Sequence, residues 1–143
     1  MEPKKIKAKA MGIVVRNRNE ILAALGFDPK KNEHFGRIIG GHIEFGETSR
    51  DTIQREFLEE LGTKLENLTF IKVIENIFQY KGEPGHEIIF LYKGDLVDKN
   101  LYEKDEINML DKDVKITWIS LDDIKVGKIK LYPEFDYEEL LKV

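Results

Sequence analysis

The segment GGHIEFGETSRDTIQREFLEELGT, Gly40 to Thr63, joins a glycine-rich turn to a helix that carries Glu56, Glu59 and Glu60 within five residues. Thr48 and Asp51 have capping-box spacing, which starts the helix near Thr48 or Ser49, and Gly62 is a natural C-terminal cap. At about 100° per residue the three glutamates share one sector about 100° wide. Ile53, Phe57, Leu58 and Leu61 take the other side and face a core. Like charges three and four residues apart repel on a helix, and three adjacent carboxylates held away from bulk water do not all stay ionised unaided. A hard divalent cation resolves the conflict, because Mg²⁺ takes carboxylate oxygens and keeps several waters. The chain has no cysteine, and His34, His42 and His86 are scattered, which disfavours zinc or copper. Gly40 and Gly41 are expected to let the backbone turn tightly and bring a carbonyl to the cation. Glu44 and Glu47 flank Gly46 and add two more acids. Arg55 is expected to project away from Glu56 and reach back to Glu47 as a buried pair.

Outward from this segment, the 143 residues fit one ordinary domain spanning residues 1–143. Net charge is −4, so nothing global points to a nucleic-acid backbone or an anionic membrane as partner. Without cysteines, disulfides, thiolate metal sites and a cysteine nucleophile are excluded. "MGIVV" is too short for a signal-peptide core and no apolar stretch approaches the roughly 20 residues of a membrane helix; a cytoplasmic protein is expected. "IKAKAMGIVV", "ILAAL" and "RIIGG" read as strands, separated by the turn "RNRNE" and the polar loop "GFDPKKNEHFG". "LTFIKVIENIFQY" and "HEIIFLYKGDL" read as a hairpin about the turn "KGEPG". "VDKNLYEKDEINMLDKD" reads as loop and "VKITWIS" as a strand. "LDDI" starts a short helix capped by Ser120, and "IKVGKIK" is a solvated basic strip. "PEFDYEELLKV" reads as a C-terminal helix with Pro133 in its first turn.

Gly41, five residues, Glu47, seven residues, Arg55-Glu56, Phe57, one residue, Glu59-Glu60, one residue and Gly62 together resemble the Nudix box. Seven fixed positions at roughly 6% usage each make a chance match on the order of 10⁻⁸ per starting point. Thr63 stands where the family usually has an aliphatic residue, and Ile39 replaces a proline frequent before the paired glycines. The resemblance implies an α/β fold, an α/β/α sandwich with a mixed sheet, a box helix and a C-terminal helix. It also implies hydrolysis of a nucleoside diphosphate linked to another group, with Mg²⁺ or Mn²⁺ as cofactor. Glu56, Glu59 and Glu60 would ligate metal together with the Gly41 carbonyl, and Glu56 is also a candidate base for the attacking water. Gly40, Glu44, Glu47, Arg55 and Gly62 would shape the motif. The partner implied is a small-molecule nucleotide substrate, with no nucleic acid and no membrane, and the protein is expected to be a monomer or homodimer.

Outside the box, Glu87 reads either as a further ligand or base pointing into the cleft, or as an ordinary outward acid. Arg37 is expected to contact a substrate phosphate. Tyr80 stands roughly where dinucleoside-polyphosphate hydrolases carry a tyrosine, and Phe35, Phe78 and Tyr80 serve either base stacking or core packing. Nucleoside triphosphates, dinucleoside polyphosphates and nucleotide sugars all stay open as substrates. The alternative function is a Nudix-fold module that senses a nucleotide without cutting it. Such modules typically lose box acids, and here every one is present.

Overall fold

The computed structural model describes residues 4–140. Its centre is β1 (Lys7–Ile13), whose side chains alternate between two cores. Ala10 faces one cluster with Ile53, Phe57 and Leu61 of α1 (Ser49–Leu61). Met11 and Ile13 face the other, with Ile89, Leu91, Leu121 and Tyr137. Burial on both sides explains the β-branched apolar run after the initial alternation. Gly12 is what lets the helix lie close, since a Cβ there would stand 3.0 Å from Phe57 Cε1.

Around β1 the order of strands is β5-β6-β1-β4-β3-β8-β7. β4 (Glu33–His42) pairs with β1 through residues 39–42 and with β3 (Glu20–Asp28) through residues 33–38. β5 (Leu65–Tyr80) and β6 (Glu83–Leu96) form the long hairpin, with β6 parallel to β1. β7 (Glu106–Asn108) pairs with β8 (Lys115–Ser120), and β8 with β3. The two-residue β2 (Val15–Arg16) pairs with β3, and β9 (Lys130–Tyr132) runs parallel to β4. α2 (Leu121–Lys125) and α3 (Tyr137–Leu140) cover the face opposite α1, which gives the expected α/β/α layering on a mixed sheet. Among the described residues no helix is long and apolar enough to cross a membrane.

Several expectations need correction. The loop "GFDPKKNEHFG" is mostly strand: β3 runs to Asp28, β4 starts at Glu33, and Phe27 pairs with His34. The turn "KGEPG" contracts to Lys81-Gly82, both with positive φ (53° and 82°), and Glu83, Pro84 and Gly85 join β6. Gly85 is there because the Phe78 ring lies across it from the opposite strand. "VDKNLYEKDEINMLDKD" contains a 3₁₀ turn, Lys99–Glu103, and β7. The basic strip ends in β9, to which it gives Lys130, and the next residue, Leu131, is buried in the second core. α3 begins only at Tyr137, four residues past Pro133, and the last three residues of the expected helix lie outside the described ones. Leu58 is 42% exposed rather than core-facing.

Two hairpin tips are held by one acid. Asp28, 2% exposed, accepts backbone N–H bonds from Lys30 (2.9 Å) and Lys31 (3.4 Å) at the β3–β4 tip and from Lys81 (3.0 Å) at the β5–β6 tip. Those bonds hold its carboxyl below the usual range despite its burial.

Gly40 and Gly41 lie in extended β4 and neither has a positive φ, so they serve close approach rather than a tight turn. A Cβ on Gly40 would strike the Ala10 carbonyl oxygen and stand 2.7 Å from Met11 Cα, both backbone atoms that cannot swing away. A Cβ on Gly41 would meet the Glu56 carboxylate, which can. Gly40→Ala is therefore expected to destabilise the fold by about 2–3 kcal/mol and Gly41→Ala by less. Thermal melts of the two variants check this, and an unchanged melting temperature for Gly40→Ala would contradict the packing.

Candidate active site

α1 starts as the capping box requires. Thr48 Oγ1 accepts from Asp51 N (3.1 Å) and the Asp51 carboxylate accepts from Thr48 N (3.4 Å). The helix ends at Gly62, φ 71°, whose N–H donates to the Leu58 carbonyl. Between these caps the glutamates span a gradient of burial. Glu59 is exposed, Glu56 is half-buried, and Glu60 is only 4% exposed.

Arg55 answers part of the charge problem, and differently from the expectation. It does grip Glu47 in a bidentate pair, Nε to Oε2 at 2.7 Å and Nη2 to Oε1 at 2.9 Å. It does not turn away from Glu56: Nη1 donates to Glu56 Oε1 at 2.9 Å and reaches Glu59 at 3.3 Å. Nη2 also donates to the His42 carbonyl at 3.0 Å, and Glu44 lies 3.8 Å away. Glu47 Oε1 closes the preceding turn by accepting from Glu44 N at 3.1 Å and from the Thr52 hydroxyl at 2.9 Å. The Arg55 contact above all, then those bonds, holds the Glu47 carboxyl down to about 2.

Arg55 does not reach Glu60. Glu60 Oε2 is buried and has no hydrogen-bond partner, the exception that buried polar groups seldom show. Burial first, then the charges of Glu56, Asp111 and Glu59, push its carboxyl up to about 8, with Lys112 opposing. Burial also raises Glu56, against Arg55. The Glu56 carboxylate packs directly against Gly41, in the space a Cβ there would take. An orphaned buried carboxylate oxygen, a second acid beside it and a bare glycine backbone opposite form a donor set of oxygens only, which fits a hard divalent cation. Among the described residues, no group of three or more His, Cys, Asp or Glu side chains is arranged to hold a metal ion.

The cleft, about 230 Å³, lies beyond the box. Met11, Ile89, Phe35, Phe78, Tyr80 and Tyr132 make it apolar and aromatic, and Arg37 and Glu87 stand at its wall. Phe35 meets both Tyr80 and Tyr132 edge-on, at 5.8 and 5.5 Å between centroids. The structure thus brings Arg37, Glu87, Phe35, Phe78 and Tyr80 together in one cleft, but none of Glu56, Glu59 and Glu60 lines it. Glu87 points inward at 4% exposure, so the outward reading fails, but its carboxylate is taken by Lys9 and by Arg37 at 3.2 Å. Burial first, then the charge of Lys9, lowers the pKa of His42, with Glu87 opposing.

Sequence reasoning missed Lys9, Asp111 and Lys112. Lys9 sits at an inward position of an alternating strand, a signal that was readable. Asp111 and Lys112 come from a polar loop, docked on the helix by Leu110 N to the Glu60 carbonyl (2.9 Å), and carried none.

Comparison with known proteins settles the class. A family model, the NUDIX domain, matches residues 6–140. The chain belongs to the Nudix family. Its fold is similar to that of a Nudix hydrolase from Nitrosomonas europaea (19% identity, TM-score 0.61, covering 87% of this chain and 78% of that one). It is similar as well to a MutT Nudix hydrolase from Burkholderia pseudomallei (20% identity, TM-score 0.61, 96% of each chain). At such identities the likeness speaks for the fold. Family membership classes the chain with hydrolases of phosphoric anhydride bonds.

Two outcomes are expected. Arg55→Ala leaves Glu47 and Glu56 without their cation and costs about 3 kcal/mol, discounted from a fully buried pair because Arg55 is a quarter exposed; chemical denaturation measures it, and an unchanged midpoint would refute the pairing. For Glu60 the folded pKa lies above the usual 4.5, so ionisation works against the fold. The cost is absent below about 4.5, grows up to about 8 and is complete above. In chelator, Glu60→Gln should therefore melt higher than the parent protein at pH 8, with the gap closing towards pH 4.5. Identical melting curves at pH 8 would contradict this.

Proposed function

We propose that this Nudix protein is a metal-dependent hydrolase that cleaves the pyrophosphate bond of a nucleoside diphosphate linked to another group. The observation that carries the reading is the buried, unpartnered Glu60 Oε2 beside Glu56. Glu56, Glu59, Glu60 and the Gly41 carbonyl would hold Mg²⁺ or Mn²⁺. When bound, the cation neutralises phosphate charge and acidifies a water. The chain's own part is positional. Arg55 fixes the Glu56 and Glu59 carboxylates in direction, and Gly41, lacking a Cβ, lets the Glu56 carboxylate lie against its backbone. Glu56, whose pKa is raised by burial, is the candidate base for the water. Arg37 would contact a substrate phosphate, and Phe35, Phe78 and Tyr80 would hold the organic group; all four line the cleft.

The cleft supports a narrower choice of substrate. At about 230 Å³ it lies under the roughly 300–1,000 Å³ of sites for drug-sized ligands, and so takes one ring system. That favours a nucleoside triphosphate or nucleotide sugar over both halves of a dinucleoside polyphosphate, despite Tyr80. We read the protein as cytoplasmic, acting as monomer or homodimer on small molecules. A sensing module remains the competing reading only if turnover is absent.

Release of phosphate or nucleotide from a panel of nucleoside triphosphates, nucleotide sugars and dinucleoside polyphosphates tests the proposal. Turnover is expected with Mg²⁺ or Mn²⁺ and little with Ca²⁺, whose longer, looser coordination misplaces the water. Glu59→Gln and Glu60→Gln should each keep the fold and lose on the order of 100-fold or more in rate. Full activity in excess chelator, or near-parent rates in both variants, would sink the metal mechanism. Nucleotide binding without turnover would establish the sensor instead.

A further inference from the structure

On the face of β1 turned away from α1, the chain buries a lysine and a glutamate together. Lys9 is 7% exposed and Glu87 4%, and their side chains form an ion pair. That pair is neutral and complete. Arg37 nevertheless joins it, reaching Glu87 with Nη2 alone at 3.2 and 3.4 Å. Among the described residues its Nε and Nη1 make no hydrogen bond, and its side chain is 41% exposed on the wall of the cleft. The guanidinium is thus held by one corner while the rest of its fork faces the cleft. At Glu87 two cations, Lys9 and Arg37, stand against one acid. The other acids of the cleft wall have partners of their own: Asp28 accepts backbone amides, and Glu33 accepts from the Tyr132 hydroxyl and pairs with Lys130. One positive charge is thus left over at this part of the wall.

A buried Lys–Glu pair alone is explained by packing and ladder position. It does not explain the third, half-satisfied cation. Guanidinium presents two parallel N–H groups that match two oxygens of one phosphate, and the partial desolvation of the cleft strengthens such a contact. We propose that Arg37, seated on the buried Lys9–Glu87 pair, is an anion site of the cleft that grips a substrate phosphate without a metal ion. Glu87 acts as a positioning residue and not as a metal ligand, and Lys9 supplies the charge that keeps Glu87 from neutralising Arg37. The inference rests on the hydrolase reading only for the identity of the anion. It divides phosphate recognition in two, with the box glutamates acting through a cation and Arg37 acting directly.

The probe is inorganic pyrophosphate, titrated calorimetrically in excess chelator so that the box contributes no metal-mediated binding. The parent protein should bind it, more weakly as salt rises. Arg37→Ala should weaken binding about tenfold or more, and Arg37→Lys should restore only part, since a point charge lacks the fork. Lys9→Met should weaken binding too. If that variant fails to fold, Arg37→Ala decides, because its side chain is half exposed and unneeded for packing. In a separate titration with Mn²⁺ alone, Glu87→Gln should leave affinity within about twofold while Glu56→Gln lowers it about tenfold or more. No pyrophosphate binding in chelator, parent-like binding by Arg37→Ala, or Mn²⁺ affinity falling in Glu87→Gln as in Glu56→Gln would each overturn the proposal. None of these results bears on turnover of the substrate panel with Mg²⁺, so the two readings fail separately.

Discussion

Four carboxylates lie within 4 Å of the Arg55 guanidinium, and its bidentate contact with Glu47 is the one that lets the others coexist. Glu47 ties the loop before α1 to itself through Glu44 N and to the helix through Thr52. Arg55 carries that fixed point onward to the His42 carbonyl at the end of β4 and to Glu56 and Glu59 on the helix. Strand, loop and helix are therefore registered by one side chain. The apolar side of the helix, Ile53, Phe57 and Leu61, sets its distance from the sheet. Arg55 sets its rotation and slide, which decides where the acids stand.

The same arrangement leaves one charge uncompensated. Arg55 has five donors, and all of them are engaged before Glu60 is reached. Glu60 is not opposite the apolar residues as expected but at the edge of the acidic sector that adjoins Ile53 in helical projection, where desolvation dominates its titration. A fold selected only for stability would place glutamine or an apolar residue there. On the proposed metal-site reading, that carboxylate is local instability with a functional reason.

Much of this was legible in the sequence. The helix, both of its caps, the Arg55–Glu47 pair and the strand β1 follow from spacing and periodicity. What failed has physical causes. Gly40 and Gly41 looked like a turn because glycine permits one, but here the missing Cβ matters more than the free φ, and sequence does not distinguish those uses. "GFDPKKNEHFG" looked like loop because its polar residues lie on an exposed hairpin, where alternation is not enforced by burial. β9 was hidden because its one buried residue, Leu131, gains its place from a parallel neighbour a hundred residues away. The direction of Glu87 depended on Lys9 and Arg37, two partners from other strands, and no local pattern could assign it.

Asp28 has a mechanical consequence. Its single carboxylate receives amides from both the β3–β4 and the β5–β6 tips, and residues next to those tips, Tyr80 and Lys31 among them, line the cleft. The two loops that edge the cleft are thus fastened to each other at its outer end, like covers sharing a clasp. Such a mouth does not widen by one tip swinging alone. Opening it requires the clasp to release, so the amides of Lys30, Lys31 and Lys81 belong to one exchange event, and the gauge of the cleft is set by a residue that need never touch what enters it.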